Sequence, residues 1–296
     1  MLYSFSLYGL NVQTDFDLPF LNPLESNDNF DLVIRNKASL RFKKDKDIAQ
    51  NETLSDLSLK TANIENKYYK CKVLNGSLIE YKFKEEKRSI SLLMNFLHMP
   101  FAFAMFQKGY LPIHGMSFLH KNKTVICLGE SRSGKSSLSS ILAKTHKIRS
   151  EDITCIIYKN EKIYSMPSFP ITLSEENYSK HLKKISSDKI SRNRTINHLF
   201  DKYDNEAFVE VKCLYVLEWG DSDEIRELDD AEALQKLLIS SFKPYPFNSC
   251  IESEKIYFKN LMGLIRQNKI YLWKRKKDRD ISLDPKIIRH IENDSS

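Results

Sequence analysis

Apolar and polar residues alternate over short runs in the first hundred positions, and this period of two predicts β-strands. Residues 2–12 alternate Tyr, Phe, Leu and Val with small polar residues. Further strand candidates lie at residues 30–34, 40–42, 68–74 and 78–83. Asn75 and Gly76 separate the last two candidates, and both residue types tolerate the positive φ of a tight hairpin turn. The N-terminal part of the chain is therefore expected to be rich in β-structure.

A continuous apolar stretch at residues 90–108 predicts a helix that ends near Gly109. Its most apolar part, residues 90–106, is shorter than the roughly 20 residues that a membrane span requires. It also contains Asn95, His98 and Pro100. We therefore expect a buried helix and no membrane span. A domain boundary is predicted after this helix, giving a β-rich domain at 1–108 and a second domain at 109–296.

After residue 109, short apolar runs alternate with segments of helical spacing, which predicts an α/β (α+β) fold. Strands are expected at 116–119, 124–128, 153–158, 211–219 and 270–273, the first two forming a hairpin. Helices are expected at 136–144, 231–242, 257–265 and 285–291.

The net charge of +7 is concentrated in two short stretches. Residues 181–196 carry five basic side chains against one acidic one, and residues 266–280 carry seven against two. This local distribution, without a helix-turn-helix or an aromatic-basic pattern, disfavours a nucleic-acid partner. Within the first stretch, residues 183–194 are Ser-rich and polar and predict a loop. This loop either closes over phosphates, grips an acidic or carboxylate-ended peptide, or is simply solvated; Lys189, Arg192 and Arg194 are its candidate contacts. Residues 274–279 predict a solvated strand edge.

The five cysteines are widely spaced and none forms a C-x-x-C pair, so neither a disulfide framework nor a zinc module is indicated. The N-terminus lacks the basic region and cleavage site of a secretory signal. These two observations predict a protein of the reducing cytoplasm.

Glycine is scarce, with only eight in 296 residues, yet Gly129 and Gly134 lie within one loop. Residues 129–136 match the pattern G-x-x-x-x-G-K-[ST], between a predicted strand and a predicted helix. In this pattern backbone N–H groups surround phosphate oxygens, the lysine bridges the β- and γ-phosphates, and the hydroxyl after it binds Mg²⁺. A plain Gly/Ser turn would not explain the Lys-Ser that follows. The candidate site for ATP, or another nucleoside triphosphate, comprises Gly129, Glu130, Ser131, Arg132, Ser133, Gly134, Lys135, Ser136 and Ser137.

Two sets of carboxylates could complete a site for Mg²⁺ and for a general base. Glu218 ends the apolar run 214–217, whereas Glu151 and Asp152 precede the strand predicted at 153–158. Either set could instead be an ordinary feature of a strand end. The residues by themselves do not choose between them.

Three segments in order, Leu-Pro-Ile-His-Gly at 111–115, the loop, and Glu151-Asp152 before a strand, resemble the HPr kinase/phosphorylase family. That family has a His-Gly before its phosphate-binding loop and an Asp-Asp pair before the next strand. The resemblance implies a fold related to phosphoenolpyruvate carboxykinase and favours Glu151 and Asp152 over Glu218. This chain departs from the family in having Arg132 where the loop usually has Gly, Glu151 in place of Asp, and no recognisable copy of the C-terminal signature.

A second resemblance covers nearly the whole length. The segment 8–19, the β-rich N-terminal part and the Pro-Ser-Phe-Pro at 167–170 look like HPr-kinase-like proteins of peptide-tailoring gene clusters. In lasso peptide clusters such proteins phosphorylate the C-terminal serine of a precursor peptide. The resemblance therefore implies a peptide or protein substrate with an acceptor serine.

Carried over by residue, the resemblance implies the following roles. Lys135 and the loop hold the triphosphate, while Ser136 and one of Glu151 and Asp152 hold Mg²⁺. The other carboxylate accepts the serine proton. We assign Asp152 as base and Glu151 as metal partner, although the sequence does not separate them. His114 is expected near the transferring phosphate or beside the base.

Two alternatives stay open: a small-molecule kinase on the same fold, and a nucleotide-binding regulatory protein without catalysis. Whether the chain forms a homo-oligomer also stays open.

Overall fold

The structure is a computed structural model of the 296-residue chain. It describes residues 1–25, 29–40, 52–55, 60–86, 89–175, 182, 184–191, 194–197, 203–241, 251–276 and 286–293.

The N-terminal part forms a mixed sheet, as the alternating pattern predicts. Its described strands are β1 (Tyr3–Leu7), β2 (Leu10–Thr14), β3 (Leu32–Asn36), β4 (Glu52–Ser55), β5 (Thr61–Asn66), β6 (Tyr69–Leu74) and β7 (Leu78–Phe83). Their order across the sheet is β1-β2-β3-β7-β6-β5-β4.

Three details of this sheet differ from the prediction. Residues 2–12 do not form one strand, because Tyr8 and Gly9 have positive φ and turn the chain into a hairpin between β1 and β2. Strands β4 and β5 were not predicted. Residue 40 is not in a strand, and residues 41–42 of that candidate lie outside the described residues. The hairpin at Asn75 and Gly76 is confirmed.

The apolar stretch forms α1 (Ile90–Gln107). Ser89 caps its first turn by accepting a hydrogen bond from the Leu92 N–H. At its end the N–H groups of Gly109 and Tyr110 bond back to carbonyls of the last turn, with Gly109 at φ +85°. Apolar residues around the whole circumference are buried, as predicted. In the part of the chain that the structure describes, no helix has the length and apolarity needed to cross a membrane.

The second part of the chain is built on another mixed sheet. Its strands are β8 (Leu111–His120), β9 (Lys123–Leu128), β10 (Ile148–Ser150), β11 (Ile153–Lys159), β12 (Lys162–Met166), β16 (Val209–Gly220), β17 (Glu224–Glu227) and β18 (Lys269–Lys276). The pairs β8–β9, β9–β16, β16–β12, β12–β11 and β11–β8 close a ring of strands. Beyond that ring, β18 runs parallel to β16, and β17 pairs with its other side.

Within the described residues, four helices accompany this sheet: α2 (Lys135–Leu142), α3 (Asp230–Ser240), α4 (Ile251–Gln267) and α5 (Lys286–Asn293). All four predicted helices are thus present, α4 beginning six residues earlier than expected; residue 242 lies outside the described residues. Together the sheets and helices confirm the mixed α/β class.

In its described part, the basic stretch at 183–194 is not the loop that its polarity predicts. Strands β13 (Thr172–Glu175), β14 (Lys184–Ser191) and β15 (Arg194–Asn197) form a small antiparallel sheet, with β15 in the middle. The loop prediction is wrong here because a polar segment can form a strand when its backbone finds a partner.

The solvated strand edge predicted at 274–279 is wrong at Arg275, which is only 3% exposed. Lys274 lies between β16 and β17, whereas Lys276 is exposed as the prediction has it. Residues 277–279 lie outside the described residues.

One apolar core joins the N-terminal sheet and α1 to the start of the second part. Phe5, Phe96 and Phe101 belong to it, and so do Cys155 and Met166 of β11 and β12. The domain boundary at 108/109 stays a prediction. The shared core holds α1 against β11, close to the candidate residue Asp152.

Candidate active site

The candidate residues meet at one edge of the second sheet because neighbouring strands bring them to the same level. Ile153 lies opposite His114 on β8, and Gly115 lies opposite Leu128 at the end of β9. Leu128 in turn lies beside Val216 of β16. The candidate phosphate-binding loop, residues 129–134, therefore leaves the sheet between the Glu151–Asp152 turn on one side and the end of β16 on the other.

The loop has the backbone that the motif requires. Gly129 and Gly134 have φ of +151° and +89°. Gly134 is also the N-cap of α2, where it provides no side chain to cap the helix. The N–H groups of the first turn of an α-helix have no acceptor within the helix, and with the positive end of the helix dipole they form a site suited to an anion.

Lys135 lies folded over the loop. Its Nζ donates to the carbonyl oxygens of Gly129 at 2.6 Å and Glu130 at 3.1 Å, and the side chain is 7% exposed. A cation held on backbone carbonyls at the centre of a loop can transfer those hydrogen bonds to phosphate oxygens. Glu130, Ser131 and Arg132 are exposed at the top of the loop, Ser133 is buried, and Ser136 and Ser137 are half-buried.

Arg132 adopts φ +68°, a left-handed conformation that costs a residue with a side chain roughly 1–2 kcal/mol. A glycine at this position would adopt the same conformation without that cost. The indole Nε1 of Trp219 donates to the Arg132 carbonyl oxygen at 2.9 Å. That contact from β16 holds the strained residue in place.

Glu151 lies deep beside the start of α2. Its carboxylate is 5% exposed and accepts hydrogen bonds from the hydroxyls of Thr172, at 3.2 Å, and Ser136. Burial and the adjacent Asp152 charge raise the pKa of Glu151 to about 7, against the opposing effect of these hydroxyls and Lys135. A carboxylate and the Ser136 hydroxyl are thus within reach of one shared cation.

Asp152 faces two histidines. His114 Nδ1 lies 3.2 Å from Asp152 Oδ1, and His98 Nε2 lies 3.5 Å from Oδ2. Burial would raise the pKa of Asp152, but His98, His114 and Lys135 together hold it below its ordinary value. The two adjacent carboxyls therefore have opposite tendencies: Asp152 stays ionised, whereas Glu151 binds its proton more readily.

His98 is a functional candidate that the sequence reasoning missed. It belongs to α1, in the N-terminal part, and its ring lies 5.3 Å from that of Phe169 at an angle of 41°. Burial lowers its pKa, with a smaller opposing effect from Asp152. Its position within an otherwise apolar helix was the available signal, because a buried imidazole needs a polar partner.

The glycine of the His-Gly pair allows the strands to approach closely. A Cβ on Gly115 would lie 2.6 Å from Leu128 Cδ2 and 3.0 Å from the Cys127 carbonyl oxygen. The Gly115 N–H donates to the Asp152 carbonyl oxygen at 2.9 Å, and its own carbonyl accepts from the Thr154 hydroxyl. Gly115 thereby fixes the Asp152 backbone beside the loop.

Glu218, the alternative carboxylate, lies on the opposite side of the loop. It forms an ion pair with Lys236 of α3. The structure therefore separates the two carboxylate sets, one on each side of the loop.

Arg275 of β18 is a second residue that the sequence reasoning missed. Its guanidinium donates to the Ser133 carbonyl oxygen and lies over the rings of Trp219 and Trp273, at 4.5 and 5.1 Å from their centroids. It also lies against Gly134, where an added Cβ would meet its nitrogens at 3.2 Å. Arg275 supports the loop from behind.

The weaker candidates lie on the small third sheet. Lys189 of β14 is opposite Thr195, and Arg194 of β15 is opposite Ser191. Arg192 lies outside the described residues.

No family model and no curated protein matches the chain. Among solved structures, the Hpr(Ser) kinase/phosphatase from Coxiella burnetii matches 62% of this chain and 95% of its own, at 13% identity and a TM-score of 0.33. At this level of similarity the match contributes nothing to the functional argument, which depends on the site itself.

Proposed function

We propose that this chain is an ATP-dependent kinase that transfers the γ-phosphate to a serine hydroxyl. The observation that carries the proposal is the convergence of an open helix N-terminus, a buried lysine and two adjacent carboxylates at one sheet edge. Phosphoryl transfer needs positioning and charge neutralisation more than covalent chemistry, and these groups provide both.

The residues fit a bound Mg²⁺. In the described residues no group of three or more His, Cys, Asp or Glu forms a metal site. Mg²⁺, however, is commonly held by one or two carboxylates together with substrate phosphates. Glu151 and the Ser136 hydroxyl, already in hydrogen-bond contact, would hold it. When bound, Mg²⁺ neutralises charge on the transferring phosphoryl group.

In this proposal the two carboxylates have different roles. Glu151, beside Ser136, faces the metal. Asp152, beside His114 and His98, accepts the proton of the serine hydroxyl as it attacks phosphorus. A carboxylate of low pKa suffices, because the transition state is loose and the hydroxyl proton leaves late. His114, whose side chain is 43% exposed, is placed to orient Asp152 and to pass its proton to solvent.

The acceptor is proposed to be a serine on a peptide, of the kind that ends a ribosomally made lasso precursor. This part of the proposal rests on the resemblance of the sequence to HPr-kinase-like proteins, as does the relation to phosphoenolpyruvate carboxykinase. The basic strands β14 and β15, which follow the site in the chain, are proposed to contact the peptide through Lys189 and Arg194.

The test is a transfer assay with γ-labelled ATP, Mg²⁺ and a panel of serine-ended peptides, free serine and small sugars. We expect label on peptides, at least a hundredfold less with Lys135→Met, and a similar loss with the isosteric Asp152→Asn. Label on a metabolite without peptide would favour a small-molecule kinase. Tight ATP binding without transfer to any acceptor would favour a non-catalytic nucleotide-binding protein. Transfer that survives both substitutions would refute the assignment.

A further inference from the structure

A pocket of about 260 Å³ opens beside the loop, on the side of β16 rather than of Glu151 and Asp152. Its walls come from the first half of the loop, the end of β16 and the C-terminal half of α3. The pocket is thus continuous with the loop but is not formed by the carboxylates and histidines discussed above.

We infer that this pocket takes the base and ribose of a nucleoside triphosphate whose phosphates lie in the loop. The inference rests on the proposed function for the location of the phosphates. If Lys135, Ser136 and Glu151 bind the terminal phosphates and the metal, the ribose and the base must lie outside the loop, on one of its two sides. The Glu151–Asp152 side is reserved for the acceptor, so the β16 side is the remaining exit.

The chemistry of the walls suits a flat heteroaromatic base. Val216 and Leu217, both buried, line the pocket along β16. Ile239 lines the pocket with a side chain that is 59% exposed, and a bound base would cover it. The Glu218–Lys236 ion pair supplies an acceptor and a donor at the rim, which matches the polar edge of a base.

Two further features point to a ligand. Trp219 lines the pocket with an indole held rigidly by its hydrogen bond to Arg132 and by Arg275, so it can stack without an ordering cost. The Ser133 hydroxyl, on a residue 5% exposed in the same wall, has no hydrogen-bond partner within the described part of the chain. A buried hydroxyl without a partner is costly, and a nucleotide oxygen would provide one.

The experiment compares MgATP with Mg-tripolyphosphate, which has the phosphates but no nucleoside, by calorimetry on the full chain. Ile239→Phe fills the mouth of the pocket at a largely exposed position, so the fold should tolerate it. Leu238→Phe is the matched control, since Leu238 is its exposed neighbour on α3 and lies outside the pocket wall.

We expect Ile239→Phe to weaken MgATP binding at least tenfold and to leave tripolyphosphate binding unchanged, with Leu238→Phe equal to the unsubstituted chain. The inference would be overturned if Ile239→Phe weakened the binding of both ligands equally, or if it did not weaken MgATP binding. Lys135→Met should weaken both ligands. If the unsubstituted chain binds neither, the proposed function itself fails, which is a distinguishable result.

Discussion

Replacing Arg275 with Met tests whether the buried arginine organises the phosphate-binding loop. The Met side chain retains most of the apolar bulk between Trp219 and Trp273 but removes the charge and the donor to the Ser133 carbonyl. Since a flexible apolar side chain can fill that space, we expect the variant to fold.

The expected magnitude follows from the interactions that the substitution removes. A hydrogen bond from a charged donor contributes about 1.5–3 kcal/mol. Each cation–π contact adds about 0.5–2 kcal/mol, offset by the cost of burying the guanidinium. If the hydrogen bond chiefly holds the loop ready for phosphate, its loss should appear as weaker nucleotide binding. We therefore expect MgATP affinity to fall about 10- to 100-fold, or about 1.4–2.8 kcal/mol.

Intrinsic fluorescence offers a direct assay, because Trp219 and Trp273 are the only tryptophans in the chain and both contact Arg275. Lys274→Met is the matched control: it removes the same charge one residue away, from a side chain that packs on Gly220 on the other face of β18. Unchanged affinity in Arg275→Met would refute the reasoning. An equal loss in Lys274→Met would mean that the effect is only one of net charge.

Three further predictions concern the base, an ion pair and the close strand approach. His98→Ala should lower kcat about tenfold, a change of about 1.4 kcal/mol, with little change in the KM for ATP, because it removes one of the two contacts that orient Asp152. Glu80→Gln should lower the free energy of unfolding by about 1–2 kcal/mol at pH 7, as measured by urea denaturation, since buried Glu80 holds Arg35 and Lys37. Gly115→Ala should cost about 1–3 kcal/mol through overpacking against Leu128, and should reduce transfer as well.

Each of these has an outcome that would contradict it. His98→Gln should recover part of the kcat, and a change confined to KM would instead mean that His98 acts on nucleotide binding. Burial opposes ionisation of Glu80, but Lys37 and Arg35 lower its pKa, so its contribution is present at neutral pH and is lost as the pH falls through that lowered pKa. A deficit in Glu80→Gln that does not shrink as the pH falls below the ordinary pKa of glutamate would therefore refute the ion-pair explanation. An unchanged free energy of unfolding in Gly115→Ala would show that the Leu128 side chain can move aside without measurable cost.

The local chemistry of the loop could be predicted from sequence because it depends on neighbouring residues. The glycines at 129 and 134 predict positive φ, and both residues have it in the structure. The hairpin at Asn75 and Gly76 and the helices after residue 134 were predicted for the same reason: turn preference and apolar period are properties of a few consecutive residues. The roles of Glu151, Asp152 and His114 stay predictions, but the structure places the three side chains together.

Tertiary structure alone decided which distant residues join that loop. His98 lies 54 positions before Asp152 in the chain. The two side chains meet because α1, β11 and β12 pack around one apolar core. Arg275 looked like part of a solvated basic run, yet parallel pairing with β16 buries it behind the loop. The described polar residues of β14 and β15 form strands for a similar reason. Strand pairing between remote segments is set by packing and register over the whole sheet, and no short sequence window contains that information.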